Sequence, residues 1–140
     1  MTAKEYLNRY HQTKVKIEKL QGLVDVYIRL ANEIPGIQFD QIRVDGGKNL
    51  KAPFEKWILK ALEYENQIDE LKRTLRIIKV KILDVIEKLE DENQRKVLIY
   101  RYIDWHTWNE IAEILYISLA TAKRWHIIAL SYVNIEASVV

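Results

Sequence analysis

The segment TWNEIAEILYISLATAKRW, residues 107–125, contains two short helix-forming stretches separated by a break. Thr107 precedes the first stretch, and Glu110 follows three residues later, which is the spacing of a capping box. Ser118 stands before the second stretch and can cap it through its hydroxyl group. The apolar pattern is interrupted immediately before Ser118. The segment therefore predicts two short helices joined by a tight turn.

Small residues stand where these two helices are expected to cross. Ala112 on the first helix and Ala122 on the second allow the two backbones to approach closely. A close pair of short helices joined by a turn is typical of a helix-turn-helix, whose second helix enters the major groove of DNA. The positions that recur at helical spacing and face inward are Ile111, Ala112, Leu115, Ala122, Trp125 and Ala129.

The remaining positions of the second helix form its outward face, and we expect them to contact double-stranded DNA. No acidic residue occurs within residues 114–135, while Lys123, Arg124 and, when protonated, His126 supply positive charge. This asymmetry suits a helix that lies beside phosphates. The predicted DNA contacts are Leu119, Ala120, Thr121, Lys123, Arg124 and Ile127, and the expected phosphate contacts are Thr107, Ser118, Arg101 and Arg95.

The longer stretch VLIYRYIDWHTWNEIAEILYISLATAKRW, residues 97–125, resembles region 4 of bacterial sigma factors and the related domain of LuxR-type regulators. The shared pattern is a helix that ends in R-Y, a capped helix with E-I-A, and a capped S-x-x-T-x-K. The resemblance implies that the second helix recognises DNA and that the same domain contacts RNA polymerase. Two positions depart from the pattern. Tyr116 stands where glycine is usual, and the outward face begins with Leu119 and Ala120 instead of polar residues.

Two long heptad patterns precede this segment. Thr2 and Glu5 form a capping box at the start of the first, and Pro35-Gly36 ends it. Apolar spacings that alternate three and four keep one seam of a helix facing a partner. The seams must therefore pair with each other as an antiparallel hairpin, with another subunit, or with both. The seam positions are Tyr6, Tyr10, Ile17, Leu20, Val24, Tyr27, Ala31 and Ile34 in the first helix, with the polar Thr13 interrupting them, and Phe54, Trp57, Ala61, Tyr64, Ile68, Leu71, Leu75, Ile78, Ile82, Val85 and Leu89 in the second.

A connector at about 35–53 separates the two long helices and contains two prolines and three of the four glycines. Its Gly46-Gly47-Lys48 lacks the remaining positions of a phosphate-binding loop, so we do not expect nucleotide binding there. The predicted fold is all-α. Long antiparallel or coiled-coil helices in residues 1–90 are followed by a small C-terminal helix-turn-helix domain in residues 91–140. This layout resembles phage regulators of the ArpU/RinA type, which implies activation of late or packaging genes.

Composition narrows the classes of function. The net charge of +2 is too small to indicate a partner, so any attraction to DNA must come from the local placement of charges. The chain has no cysteine, its first residues are polar, and no long apolar run occurs. We therefore expect a cytoplasmic protein without a membrane segment. His11, His106 and His126 are far apart in sequence, and no catalytic motif is present, so we expect neither an enzyme nor a metal or other cofactor.

The sequence favours a DNA-binding transcription regulator that forms a homo-oligomer, with a dimer preferred. One alternative is a helical interaction protein that binds RNA polymerase or another regulator without touching DNA. A second alternative is a phage DNA-packaging subunit, because such proteins also join a helix-turn-helix to oligomerising helices. The tryptophans Trp105, Trp108 and Trp125 are interpreted as packing residues of the small domain.

Overall fold

The computed structural model describes residues 1–33 and 48–135 of the chain. Within these ranges the chain forms five α-helices and one π-helical segment, and they contain no strand. The all-α class predicted from the sequence is therefore confirmed. The elements are α1 at Ala3–Glu33, α2 at Lys48–Glu87, α3 at Glu92–Leu98, the π-helical segment at Ile99–Ile103, α4 at Trp108–Leu115 and α5 at Leu119–Tyr132.

The described residues divide into two compact units. The first contains residues 1–14 and 74–135, and the second contains residues 15–33 and 48–73. Both α1 and α2 contribute residues to each unit. This division differs from the one expected at residue 90, because the first unit joins the C-terminal helices to the ends of the long helices.

The second unit consists of the middle of α1 packed against the first half of α2. Val24, Ala61 and Ile68 are buried at its centre. The rings of Tyr27 and Tyr64 pack beside them with centroids 5.9 Å apart. All five residues belong to the heptad seams, so these seams are filled within a single chain.

The first unit contains the hairpin core, where the start of α1 packs against the end of α2. Nζ of Lys79 lies 5.9 Å from the centroid of the Tyr10 ring at the edge of this core. The start of α1 meets the end of α2 here, while the middle of α1 meets an earlier part of α2 in the second unit. The two helices therefore pair antiparallel within one chain. The buried residues of the hairpin core are Tyr6, Leu7, Tyr10, Ile78, Ile82, Val85, Ile86, Leu89, Leu98, Tyr102 and Ala129.

Thr13 is the polar residue that interrupts the seam of α1. Its side chain is buried, and its hydroxyl donates to the carbonyl oxygen of Arg9 one turn earlier, at 2.9 Å. This bond satisfies the hydroxyl without a partner from another helix. The capping box at the start of α1 also forms: the Thr2 amide donates to Oε2 of Glu5, and the Glu5 amide donates to Oγ1 of Thr2, both at 3.1 Å.

The first unit also contains the head, which we define as residues 91–135. Asp91 caps α3 by accepting from the amide of Asn93 at 2.8 Å. The head has its own core, the head core, in which α3, α4 and α5 meet. Its buried residues are Val97, Ile111, Ala112 and Ala122, and Tyr100, Trp108, Leu115, Ile117 and Trp125 pack around them.

The π-helical segment at Ile99–Ile103 directly continues α3. The amide of Asp104 donates to the carbonyl oxygen of Ile99 at 3.0 Å, which is the five-residue spacing of a π-helix. The segment supplies residues to both cores of the first unit. Tyr102 is buried in the hairpin core, while Tyr100 packs against the head core.

Parts of the predicted connector lie outside the described residues, including Pro35-Gly36 and Gly46-Gly47. Residues 48–53, which were assigned to the connector, are helical and begin α2. Ile34 and the tail from residue 136 also lie outside the described ranges. Within the described residues, no helix combines the length and the apolar character needed to cross a bilayer.

Candidate nucleic-acid interface

The helices α4 and α5 pack against each other in the head. Ala112 on α4 and Ala122 on α5 are both buried in the head core, where small side chains permit a close approach of the two helices. Ile111 is fully buried beside them. These three residues, which the three- and four-residue spacing predicted to face inward, therefore lie in the head core.

Both predicted caps of these helices form. The Thr107 hydroxyl accepts from the amide of Glu110 at 3.2 Å at the start of α4. The Ser118 hydroxyl accepts from the amide of Thr121 at 3.1 Å at the start of α5, and it donates to the Thr121 hydroxyl oxygen at 2.7 Å. Each cap satisfies an amide at a helix start that has no partner within the helix.

The turn between α4 and α5 is closed by a Schellman motif. The amide of Ile117 donates to the carbonyl oxygen of Ala112 at 3.0 Å, and the amide of Tyr116 donates to that of Glu113 at 3.3 Å. Tyr116 has φ 55° and ψ 44°, the left-handed conformation that this motif usually gives to glycine. The Tyr116 side chain is 95% exposed, so its packing does not offset the backbone strain. The turn therefore keeps its usual shape and costs some stability.

The exposed side of α5 carries five of the six predicted DNA contacts, and we call this set the α5 outer face. Lys123 and Arg124 are exposed on it, and neither pairs with a carboxylate among residues 1–33 and 55–135. Thr121, the sixth predicted contact, is half-buried beside its cap. The α5 outer face consists of Leu119, Ala120, Lys123, Arg124 and Ile127.

His126 does not belong to this face, contrary to the expectation that it adds positive charge. It is buried, and its Nε2 lies 2.6 Å from the hydroxyl of Tyr102. Its ring also meets the Trp108 ring edge-on, at 4.7 Å between centroids. Burial, together with the charges of Lys4 and Arg101, lowers the pKa of His126 to about 4. The side chain is therefore neutral near pH 7.

The position of His126 could have been inferred from spacing. It follows Ala122 by four residues and precedes Ala129 by three, and both alanines were assigned to the inward side of α5. A residue between them at these spacings shares their face of the helix. We counted His126 among the positive charges that face DNA because histidine is basic, although the helical geometry places it in the core.

Arg101, an expected phosphate contact, is held by its neighbours in the head. Its guanidinium carbon lies 4.7 Å from the ring centroid of Trp108 and 5.2 Å from that of Trp105. Nη1 donates to the carbonyl oxygen of His106 at 3.0 Å. Trp105 has φ 57°, and its ring stacks on that of His11, at 3.5 Å between centroids. These contacts hold Arg101 within the head, and Trp105 joins the head to α1.

Arg95 is also engaged by backbone. Its Nη1 donates to the carbonyl oxygen of Leu89 and, at 3.0 Å, to that of Glu90. Both acceptors follow the end of α2, where carbonyl groups lack helical partners. A basic side chain at the C-terminal end of a helix also interacts favourably with its dipole. Arg95 therefore stabilises the junction between α2 and α3.

Thr107 lies beside a carboxylate. Its hydroxyl donates to Oε1 of Glu110 at 3.1 Å, while Oε2 of Glu110 lies 2.7 Å from Nδ1 of His106. Two hydrogen bonds lower the pKa of Glu110: the one with His106 has the larger effect and the one with Thr107 the smaller. The carboxyl group is therefore charged near pH 7. A negative charge at this point opposes a phosphate contact by Thr107. Ser118 has no acidic neighbour on α5.

The part of the chain that the structure describes contains no cluster of three or more histidine and acidic side chains arranged to hold a metal ion. No known protein-family model, curated protein or solved structure matches this chain. The function of the chain is therefore inferred from the geometry and charge of the head, above all from the α5 outer face.

Proposed function

We propose that this chain is a sequence-specific transcription regulator that binds double-stranded DNA by inserting α5 into the major groove. The observation that carries the proposal is the α5 outer face. Lys123 and Arg124 are exposed there on a helix without acidic residues, and neither pairs with a carboxylate of the described part of the chain. A duplex attracts such a face through its phosphates, and a single carboxylate in the same place would oppose this attraction.

The dimensions of the head suit this placement. An α-helix with side chains is about 10–12 Å across, close to the width of the major groove of about 12 Å. The helix α5 is supported from behind by α3 and α4, which leaves its outer side open. The N-terminal half of α5 carries four of the five residues of the α5 outer face, and this is the half of a recognition helix that usually meets base edges.

The proposal includes an oligomer, with a dimer preferred. Two copies of the head would then read half-sites separated by one or more helical turns of DNA. Leu59 and Leu62 are exposed apolar residues of α2, and they offer surface for contact between chains. The sequence resemblance to sigma region 4 and to ArpU/RinA-type regulators extends the proposal to phage late or packaging genes. The resemblance to sigma region 4 also suggests that the head contacts RNA polymerase. The proposed place of action is the cytoplasm.

The direct test removes the charge from the α5 outer face. A Lys123→Ala/Arg124→Ala variant is compared with the wild-type chain by fluorescence anisotropy on duplexes enriched from a random pool by the wild-type chain. We expect the affinity to fall at least about tenfold, since hydrogen bonds to charged groups contribute about 1.5–3 kcal/mol each. The dependence of log affinity on log salt should lose about 0.9 in slope for each phosphate contact removed.

A matched control is available on α2. Lys72 and Arg73 are also adjacent, exposed and basic, so Lys72→Ala/Arg73→Ala removes the same charge from the second unit. The control variant is expected to keep wild-type affinity and salt slope. Equal affinity of the folded Lys123→Ala/Arg124→Ala variant and the wild-type chain at physiological salt would refute this assignment of the DNA-binding face.

The second candidate is an interaction protein that binds RNA polymerase or another regulator without contacting DNA. It is favoured by the apolar share of the exposed head surface, where Tyr116 is 95% exposed and Ile127 is 68% exposed. A gel shift on random-sequence duplex at low salt separates the two candidates. No binding even under these conditions would favour the interaction protein, because nonspecific DNA binding is strongest at low salt. The third candidate is a phage DNA-packaging subunit. For this candidate, mass measurement in solution should give a large ring rather than a dimer.

A further inference from the structure

The α5 outer face is mainly apolar, apart from its two cations. Leu119 is 41% exposed and Ile127 is 68% exposed, and Ala120 is exposed between the caps and the cations. None of these three side chains belongs to the hairpin core or the head core. Their exposure is therefore not a by-product of packing at the rim of a core.

Polar side chains that commonly read bases are nearly absent from this face. α5 contains no Asn, Gln, Asp or Glu. The Ser118 hydroxyl is used in the cap of α5, and it donates to the Thr121 hydroxyl oxygen. His126 is buried and bonded to Tyr102. The exposed polar groups that remain for base edges are those of Lys123 and Arg124.

The apolar and basic residues follow one side of the helix. Ala120, Arg124 and Ile127 are separated by four and three residues, so they lie in one row, and Leu119 and Lys123 run beside them. From Leu119 to Ile127 the helix rises about 12 Å. One strand of B-DNA advances about 3.4 Å per base, so this distance corresponds to roughly three to four bases. The cations lie in the middle of the row, and the apolar residues lie at its two ends.

Base edges in the major groove offer one apolar partner among the four standard bases, the C5-methyl group of thymine. We propose that α5 reads these methyl groups, so that the preferred DNA target carries thymines on both sides of the base pairs that face Lys123 and Arg124. Leu119 and Ala120 contact the methyl groups at one end, and Ile127 contacts them at the other. This inference rests on the proposed DNA-binding function and adds the class of target sequence.

The test removes the methyl groups and leaves the hydrogen-bonding groups of the bases in place. The wild-type chain selects duplexes from a random-sequence pool, and the enriched duplex is then synthesised with uracil in place of every thymine. We expect the wild-type chain to bind the uracil duplex about tenfold more weakly, which corresponds to two buried methyl groups. The enriched sequences are expected to contain thymine-rich segments.

Variants assign this loss to particular side chains. The Ile127→Ala and Leu119→Ala variants are expected to bind the thymine duplex more weakly than the wild-type chain does. Their affinities for the thymine and uracil duplexes should also differ less than those of the wild-type chain. Both side chains are exposed, and circular dichroism checks that each variant is folded. The control is Ile77→Ala on α2, a residue that is 57% exposed and lies outside the head. This control should keep the full preference for thymine.

Each outcome is decisive. Tight and equal binding of both duplexes by the wild-type chain would overturn the methyl readout while leaving the proposed DNA-binding function intact. A preference for thymine that persists unchanged in a combined Leu119→Ala/Ile127→Ala variant would also overturn it, because the methyl groups would then be read elsewhere. If the wild-type chain binds no duplex at low salt, the proposed function fails and this inference fails with it.

Discussion

The hydroxyl of Tyr102 lies 2.6 Å from Nε2 of His126, and both side chains are buried. Burial raises the pKa of Tyr102 to about 12, although the charge of Arg101 opposes this shift, so the hydroxyl keeps its proton. His126 is neutral as well, so this is a hydrogen bond between two uncharged side chains. This bond joins the π-helical segment to α5. Ala122 and Ala129, which are buried on the same side of α5, orient this helix, and the bond to Tyr102 reinforces that orientation.

The first prediction concerns stability in acid. The pKa of His126 is about 4 in the folded chain, compared with an ordinary value of 6.5. Above pH 6.5 the imidazole is neutral in both states, and its contribution does not vary with pH. Between pH 6.5 and 4 the unfolded chain binds a proton that the folded chain does not. The free energy of unfolding should therefore decrease by up to about 3 kcal/mol as the pH falls through this range.

The matched variant for this measurement is His126→Gln. Its amide group can accept a hydrogen bond from Tyr102 but does not titrate. Urea unfolding at several pH values gives the difference between the wild-type chain and the variant, and contributions from the other titrating groups cancel. We expect this difference to change between pH 6.5 and 4 and to be constant above pH 6.5. A difference that stays constant over the whole range would show that the burial of His126 has no energetic effect.

The second prediction concerns the strained turn at Tyr116. Replacing Tyr116 with glycine removes the penalty of a left-handed conformation for a residue with a Cβ atom, and we expect stability to increase by about 1 kcal/mol. Thermal unfolding measures the change. The Tyr116→Ala variant removes the exposed ring and keeps the Cβ atom, so it should gain little. Equal gains for the alanine and glycine variants would assign the cost to the ring rather than to the backbone.

The third prediction compares two buried tyrosines. Tyr6 is buried in the hairpin core, and its hydroxyl has no hydrogen-bond partner among the described residues. Tyr6→Phe should therefore be neutral or should stabilise the chain by about 1 kcal/mol, because it removes an unsatisfied polar group. Tyr102→Phe should instead destabilise it by about 1–2 kcal/mol, because it leaves the buried His126 without its hydrogen-bond partner. Chemical denaturation of both variants measures these effects, and the same sign for both would contradict the assignment.

The fourth prediction separates a structural role of Arg101 from a phosphate contact. Arg101→Gln removes the cation beside Trp105 and Trp108, and we expect it to lower the free energy of unfolding by about 1–2 kcal/mol. The folded variant should keep the wild-type salt dependence of DNA binding. A decrease of about 0.9 in the salt slope would instead identify Arg101 as a phosphate contact. Denaturation and anisotropy titrations on the same samples provide both readouts.

Features of the fold that depend on neighbours in sequence were predictable. The capping box of α1 and the caps of α3, α4 and α5 each join residues two or three positions apart, so a few letters determine them. The seams of α1 and α2 follow from apolar spacing, which is a property of a single helix. The choice between pairing within one chain and pairing between chains was not predictable, because the same seams suit both.

Features that depend on contacts between different elements were missed. The spacing of His126 from Ala122 and Ala129 indicated the inward side of α5, but its contacts with Tyr102 and Trp108 exist only in the folded head. The partners of Arg95 and Arg101 lie only five to seven residues away, but a break between helices separates each pair, so helical spacing did not predict these contacts. The stacking of Trp105 on His11 joins residues that are far apart in the chain, and no local pattern predicts it.

The sequence by itself determined where the helices begin, which of their faces are apolar, and that the segment from 114 to 135 carries no negative charge. Each of these properties follows from short-range hydrogen bonding or from helical periodicity. The tertiary structure decided which basic side chains remain available to a partner. Burial and competing hydrogen bonds engage His126, Arg95 and Arg101, whereas Lys123 and Arg124 stay exposed. Charge is a property of the residue type, but its availability depends on packing between segments that are distant in sequence.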